Sequence, residues 1–348
     1  MYKFSVGPIF GKYLKSKYAA ITSFVGEEFI NKFSKLDIFI DLNTVIPALG
    51  SSAKFLQALP FANGDDVEAD IVENTLTTVK HWKDWASKKF QETRIFLIVN
   101  DFEMGRLPER EIIKSYLAPF VNKYDSEKYA QMNYYWTEAM NKVGVVLNYV
   151  PGSYLIRCNN LDNYIVPNII DDYKTNNRAR LIISGSPIIT MYMLEKDTKV
   201  ILSKFNHQLC DPTMIVQSIS NIDSDIMNTF IQNKVFYALL NAVIGDYGRG
   251  LIGITQMGIS SFANDLLRAA ERGDIHRDPK SIDSVLPIVD EGYHDYLRKA
   301  FVLVDIESHS NMIPTSTIER LKAGLIDKYD IDAFMKLKVG DLNLMELL

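Results

Sequence analysis

The sequence is poor in cysteine, with only Cys158 and Cys210 in 348 residues. Two thiols cannot build a disulfide framework or a cysteine-rich metal site, so a reducing compartment is expected. No apolar run approaches the roughly 20 residues of a membrane span, which removes the membrane as an expected partner. The opening MYKFSVGPIFGKYLKSKY lacks a continuous signal core and a small-residue cleavage site, so the expected location is the cytoplasm. Positive charge is not in excess: 38 Lys and Arg face 43 Asp and Glu, a net charge of −5. That balance gives no global attraction to nucleic acid, although a local basic face is compatible with it. The five histidines, His81, His207, His276, His294 and His309, are scattered without paired ligand spacing and read as surface or packing residues. No glycine-rich loop precedes a Lys-Ser or Lys-Thr pair, no dinucleotide fingerprint follows a strand, and no Gly-x-Ser-x-Gly elbow occurs. Low-complexity tracts, repeats and blocks of like charge are also missing, and 47% apolar residues suffice for a large core.

What is present is an alternation of strands and helices. Leu36 to Asp41 is a short apolar run ending on a carboxylate, and Ala69 to Phe90 then spaces Val72, Leu76, Val79 and Trp82 at helical intervals. Arg94 to Val99 is a second β-rich run, followed by Asn100 and Asp101. Phe102 to Asn141 is expected to be largely helical, Gly144 to Tyr149 to be a third strand, Asp162 to Tyr173 a helix, and Arg180 to Ser184 a fourth strand. From Pro212 to Gly273 the chain reads as helices only, with a glycine-rich hinge at Gly245 to Gly250 and Gly253 to Gly258. Ala300 to Asp305 reads as a late strand and Thr315 to Asp327 as a helix. The fold class expected is α/β, with a central, mostly parallel sheet covered by helices on both faces and a smaller helical subdomain. The divisions are an N-terminal extension at 1–35, an α/β domain at 36–210, a helical subdomain at 211–285 and a completing segment at 286–348.

Asp41 and Asp101 each end an apolar strand, and in a parallel sheet such ends lie along one edge and can face one crevice. Mg²⁺ takes oxygen ligands and keeps several waters, and two ions about 4 Å apart need a dense group of carboxylates. Asp162, at an expected helix start, and Asp246, in the glycine-rich hinge, are the candidates to complete such a group. A lone Asp at a strand end is more often a cap or turn former, so the reading rests on the four together.

The order of these pieces resembles the 5′→3′ exonuclease and flap endonuclease family, particularly the small RNase H enzymes of T-even bacteriophages, whose fold is PIN-like. Asp41 resembles the family's first strand-end Asp. Asp101, in Val99-Asn-Asp-Phe102, resembles the second, Asn160-Leu-Asp-Asn163 the acidic helix start, and Ser184-Gly-Ser-Pro-Ile188 the Ser-Gly-Asp-x-Asp turn. Ala238 to Ile254, followed by Gly258 and Ala263 to Leu267, resembles the family's helix–hairpin–helix module. Phe301 to Ile306 resembles a late strand of the phage enzymes. The resemblance implies a viral source, a location in the host-cell cytoplasm, and a place in a replication or transcription assembly with protein partners. For Gly245, Gly248, Arg249, Gly250, Gly253 and Gly258 it implies a grip on a DNA or RNA duplex backbone, where N–H groups meet phosphate.

The departures from the family pattern are as telling. Asp41, Asp101, Asp162 and Asp246 survive, whereas the other acidic positions are Asn160, Asn163, Ser186, Ile188 and Arg249. Ile188 cannot ligate a metal, and Arg249 places a fixed positive charge where a cation would sit. Tyr116-Leu-Ala-Pro-Phe120 stands where the family's arch carries a lysine, although Arg106, Arg110 and Lys114 can still hold phosphate. The expectation is a catalytically degenerate member that retains at most one Mg²⁺ or Mn²⁺. Two alternatives stay open: an active metal-dependent 5′ nuclease using Asp41, Asp101 and Asp162, and a protein-binding scaffold without nucleic-acid contact. The aromatic stretch from Tyr129 to Trp136 and the extension with Phe10, Tyr13, Tyr18, Phe24 and Phe29 are either core packing or docking surface.

Overall fold

The computed structural model describes residues 22, 25–42, 64–101, 126–147, 150–159, 170, 177–184, 187–202, 208–210, 224–244 and 259–305. Within them the strands are β1 (Lys35–Asp41), β2 (Glu92–Asp101), β3 (Ser153–Asn159), β4 (Arg178–Ser184), β5 (Thr198–Leu202) and β6 (Gln208–Cys210). The α-helices are α1 (Glu27–Lys32), α2 (Gly64–Ser87), α3 (Ser126–Leu147), α4 (Ser224–Ile231), α5 (Lys234–Ile244), α6 (Ile259–Arg272) and α7 (His294–Val304). The strand order is β3-β2-β1-β4-β5-β6, parallel from β3 through β5, with β6 antiparallel at the edge.

Alternation along β1 divides the molecule into two cores. Leu36, Ile38 and Ile40 meet Ile95 and Leu97 of β2 and Leu181 and Ile183 of β4 on one face, where α2 and α3 pack through Leu76, Val79, Trp82, Met140, Val143 and Val146. On the opposite face Phe39, Phe96, Ile98, Ile156, Ile182 and Val200 meet Phe230, Phe236, Leu239, Phe262, Leu266, Leu297 and Phe301 of α4 to α7. Helices therefore cover both faces of a mostly parallel sheet, as the alternation predicts. The helix α2 buries Ile71, Val72, Thr75, Leu76, Val79 and Trp82 along one stripe, the 3.6-residue period that drives an amphipathic helix onto a sheet. The helix α6 ends at Gly273, whose φ of 82° is left-handed. Gly273 N–H meets the Ala270 carbonyl at 3.3 Å and Asp274 N–H meets that of Ala269 at 2.8 Å, satisfying the last carbonyls of the helix.

Two expected strands are helices instead. Residues 144–147 belong to α3, because Ala139, Met140, Val143, Val146 and Leu147 are all buried at helical spacing. The third strand lies later, at Ser153–Asn159. Residues 300–304 belong to α7, which buries Leu297, Ala300 and Phe301 at i, i+3 and i+4. In both cases a local β-branched run competes with the longer helical stripe, and the buried helical stripe decides the outcome. The short strands β5 and β6 and the 3₁₀ segment Pro187–Leu194 were not anticipated. The expected helices at 162–173 and 315–327 lie outside the described residues, apart from Ile170, which is helical and buried.

The described part of the N-terminal extension covers the core. Phe29, Ile30 and Phe33 pack against the α2 and α3 side, and Trp85 Nε1 donates to Thr22 Oγ1 at 3.1 Å. In the aromatic stretch, Tyr135 packs against the same core while Tyr134 is 63% exposed. His81, His276 and His294 each meet a backbone carbonyl, which fits their reading as packing and surface residues.

Candidate functional site

Because parallel register sets paired residues on one face, the face covered by α4 to α7 can be followed as layers from the amino to the carboxyl edge of the sheet. The first layer is Glu92, Lys35 and Arg178, and the second is Arg94, Asp37, Arg180 and Thr198. The third is Tyr154, Phe96, Phe39, Ile182 and Val200. Its rings form a stacked ladder, with centroids 4.8 Å apart for Phe39 and Phe96 and 5.2 Å for Phe96 and Tyr154. In the fourth layer, Ile98 pairs with both Ile156 and Asp41, and Ser184 pairs with Leu202.

The two charged layers form an internally compensated network. Asp37, whose side chain is 1% exposed, accepts Arg94 Nε at 2.8 Å and Arg178 Nε at 2.7 Å on one carboxylate oxygen, and Arg94 Nη2 at 2.5 Å on the other. Arg178 continues to Glu92 at 2.7 Å, and Lys35 meets Glu92 at 2.6 Å. Hydrogen bonds from Lys35 and then Arg178 hold the Glu92 carboxyl below the usual carboxylate range. The hydrogen bond to Asp37 pushes the Arg94 guanidinium up. Burial works to lower Arg180, but Asp197, at 2.9 Å, and Glu195 outweigh it and push that guanidinium up as well. Four cations face four carboxylates here, so the network is structural ballast at the amino edge. Sequence reasoning overlooked it, although charged residues at 35, 37 and 41 of one strand were the available signal.

The carboxyl edge is different. The chain order turns at β1, which has β2 on one side and β4 on the other, so the carboxyl ends of β1 and β4 mark the topological switch point of the sheet. In open α/β folds this is where ligands bind. Asp41 ends β1 and Ser184 ends β4, and Ser184 Oγ donates to Asp41 Oδ2 at 2.6 Å. Both are buried, at 2% and 0% exposure. Asp101 is the last residue of β2, and its backbone pairs with Asn159. Since Asp41 pairs with Ile98, Asp101 stands three positions further along, about 10 Å at roughly 3.3 Å per residue. Both strand ends thus lie at the carboxyl edge of the sheet, at different heights along it.

Asp162, Asp246, Gly245, Gly248, Arg249, Gly250, Gly253 and Gly258 lie outside the described residues, as do Arg106, Arg110, Lys114 and the Tyr116 to Phe120 stretch. The helices flanking the glycine-rich hinge, α5 and α6, are described and share one core. The outer face of α6 mixes signs: Asp265, Arg268, Glu271 and Arg272 are exposed, and Arg272 pairs with Asp274 at 2.7 Å.

For Mg²⁺ or Mn²⁺, Asp41 brings the right donor chemistry, a hard carboxylate oxygen, buried and bonded to the Ser184 hydroxyl. Among the described residues no group of three or more His, Cys, Asp or Glu gathers to hold a metal.

The class defined so far is an open α/β fold with its candidate site at the switch point. Two solved structures are similar to it. One, the T5 D15 protein co-crystallised with metal ions, shares 10% sequence identity and a TM-score of 0.49, covering 86% of this chain and 99% of that one. The other, T5 5′-exonuclease with divalent zinc ions bound, shares 13% identity and a TM-score of 0.43, covering 83% and 97%. No family profile and no curated protein matches the sequence.

Proposed function

We propose that this chain is a catalytically degenerate 5′-nuclease-like protein that serves as a nucleic-acid-binding or structural component of a viral replication or transcription assembly. The observation that carries the reading lies just past the switch-point pair: Ser184, which meets Asp41, stands at the serine of the Ser-Gly-Asp-x-Asp turn, and the carboxylates that a two-metal site needs would follow it. The sequence beyond it, Gly185-Ser-Pro-Ile188, adds no charge. The switch point then keeps at most one divalent cation, with Asp41 as its described ligand and Asp101, Asp162 and Asp246 as the other candidates. A single ion can tether phosphate without the paired activation that in-line displacement uses.

In this reading nucleic acid is held by its backbone. The glycine turns from Gly245 to Gly258 with Arg249, and Arg106, Arg110 and Lys114, are the proposed phosphate contacts, which are indifferent to sequence. Anisotropy of a labelled 5′-flap duplex against increasing salt tests this. Each phosphate contact contributes about −0.9 to the slope of log K on log salt, and Arg249→Ala should reduce the slope by about 1. Absent or salt-insensitive binding would sink the nucleic-acid part and leave the protein scaffold.

One observation favours the rival, an active nuclease: Asp41 remains buried and fixed at the edge where metal ligands are placed. The two readings part on cleavage.

A further inference from the structure

We infer that the amino edge of the sheet carries a contact surface for duplex nucleic acid, formed by Lys32, Lys88, Lys89 and Lys196. It lies at the opposite edge from Asp41 and Asp101. The inference rests on the reading that this chain holds nucleic acid by its backbone, and it adds a surface that neither the glycine turns nor the arginines of that reading include. The surface follows from the charge network. Asp37 is engaged by Arg94 and Arg178, Glu92 by Arg178 and Lys35, and Glu195 and Asp197 by Arg180. The network's carboxylates therefore already face cations of their own, and the four lysines add positive charge outside them. Lys32 ends α1, Lys88 and Lys89 follow the end of α2, and Lys196 lies in the turn before β5; all four are exposed. Among the described residues Lys88, Lys89 and Lys196 have no ion-pair partner, and Lys32 lies 5.2 Å from the centroid of the Phe33 ring.

Backbone and ring contacts bring these lysines to one surface. Gln91 N–H meets the Ser34 carbonyl at 2.8 Å, which sets the turn holding Lys88 and Lys89 beside the one that follows Lys32. Lys199 lies 5.5 Å from the centroid of the Phe29 ring, so α1 runs alongside β5, the strand that Lys196 precedes. From β2 through β1 and β4 to β5 is three strand spacings, about 14 Å. A duplex carries one charge per roughly 1.7 Å of axis, so a row of that length faces about eight backbone charges. The residue types select the partner. Lysine offers a compact, hydrated charge suited to phosphate and is depleted at protein–protein interfaces, where aromatic and arginine anchors dominate. Among the described residues the large apolar side chains that are exposed are Tyr134 and Val145, both on α3, which packs against β3, the far side of the sheet from Lys196. The four lysines thus have no docking anchor among them and no ring on which unpaired bases would stack, and they fit a duplex backbone held without regard to sequence. Lys88 and Lys89 also suit the C-terminal end of α2, where a helix favours cations, but that role does not extend to Lys196 in a turn before a strand.

The experiment is lysine acetylation of the full wild-type chain, read by mass spectrometry with and without duplex DNA. Bound duplex should protect Lys32, Lys88, Lys89 and Lys196 severalfold, with protection lost at high salt, while Lys142, 65% exposed on α3, stays equally reactive. A variant carrying Lys32→Ala, Lys88→Ala, Lys89→Ala and Lys196→Ala, shown to be folded by circular dichroism, is then titrated with labelled duplex against salt. Its slope of log K on log salt should be shallower by about 0.9 for each lysine that meets a phosphate, about 3.6 for the four. An Arg298→Ala/Lys299→Ala variant, which removes positive charge from α7, should keep the wild-type slope. If duplex binds, Arg249→Ala weakens it, and the four lysines are neither protected nor needed for the slope, this surface is wrong and the backbone-binding reading stands. If the fourfold variant keeps its duplex affinity but loses binding to polyglutamate, the surface belongs to an acidic protein and the inference is overturned. If the wild-type chain binds no duplex, the nucleic-acid reading falls and this inference falls with it.

Discussion

Arg178 reaches Asp37 across 141 residues of sequence, with Nε 2.7 Å from Oδ1, and the two side chains are 7% and 1% exposed. Arg94 grips the same carboxylate from β2, so one aspartate ties the three adjacent strands β2, β1 and β4 together at their amino ends. Removing one member of such a pair leaves uncompensated buried charge, a loss of about 3–5 kcal/mol. Asp37→Ala should therefore lower unfolding stability by about that amount in urea titrations. Breaking the exposed Lys299–Asp295 pair on α7 should cost less than about 0.5 kcal/mol. Similar small effects for both would show the network to be dispensable.

Glu92 makes the network pH-dependent. Its carboxyl is held below the usual glutamate value of 4.5 by Lys35 and Arg178, so folding gains stability from its ionised form. That gain is fully present above pH 4.5 and is lost as pH falls through the lower, folded-state value. Glu92 is 47% exposed, so solvent screening limits the effect to at most about 1 kcal/mol. Urea midpoints of wild type and Glu92→Gln should differ at pH 7 and converge as acid protonates Glu92 in the folded state. A gap that persists at low pH would contradict the assignment.

Gly152 turns the chain into β3 with φ +74°, and a Cβ there would lie 2.7 Å from the Thr93 carbonyl oxygen. Gly152→Ala thus combines a left-handed backbone with a backbone clash, and should cost at least about 2 kcal/mol. Gly273 has a similar φ of +82° but nothing within 4 Å of the added atom. Gly273→Ala should cost only about 1–2 kcal/mol. Thermal unfolding of the two variants side by side checks the ordering, and equal losses would mean that the approach to Thr93 is not confining.

The strands that carry the candidate site were legible because they are short apolar runs ending in Asp41, Asp101 and Ser184, with the helical stripe of α2 between the first two. The helical ends of α3 and α7 were not, since Val145-Val146 and Val302-Leu-Val304 look locally like strand, and only the sheet decides which stripe is buried. The partner of Asp41 was hidden for a different reason. The turn after Ser184 reads in the sequence as a place where carboxylates are missing, while the bond from the Ser184 hydroxyl to Asp41 is recognised only once β4 is placed beside β1. Asp37 was invisible as a network centre because its partners, Arg94 and Arg178, lie on two other strands.

The central claim, a nuclease-like fold without the nuclease, is tested most directly by incubating purified protein with end-labelled 5′-flap and nicked duplex DNA. Mg²⁺ and Mn²⁺ are supplied in turn, with an Asp41→Asn/Asp101→Asn variant alongside. The account predicts no metal-dependent cleavage above that of the variant, under conditions in which the wild type still binds the duplex. Metal-dependent cleavage that disappears in the folded variant would contradict it and establish a working active site at the ends of β1 and β2.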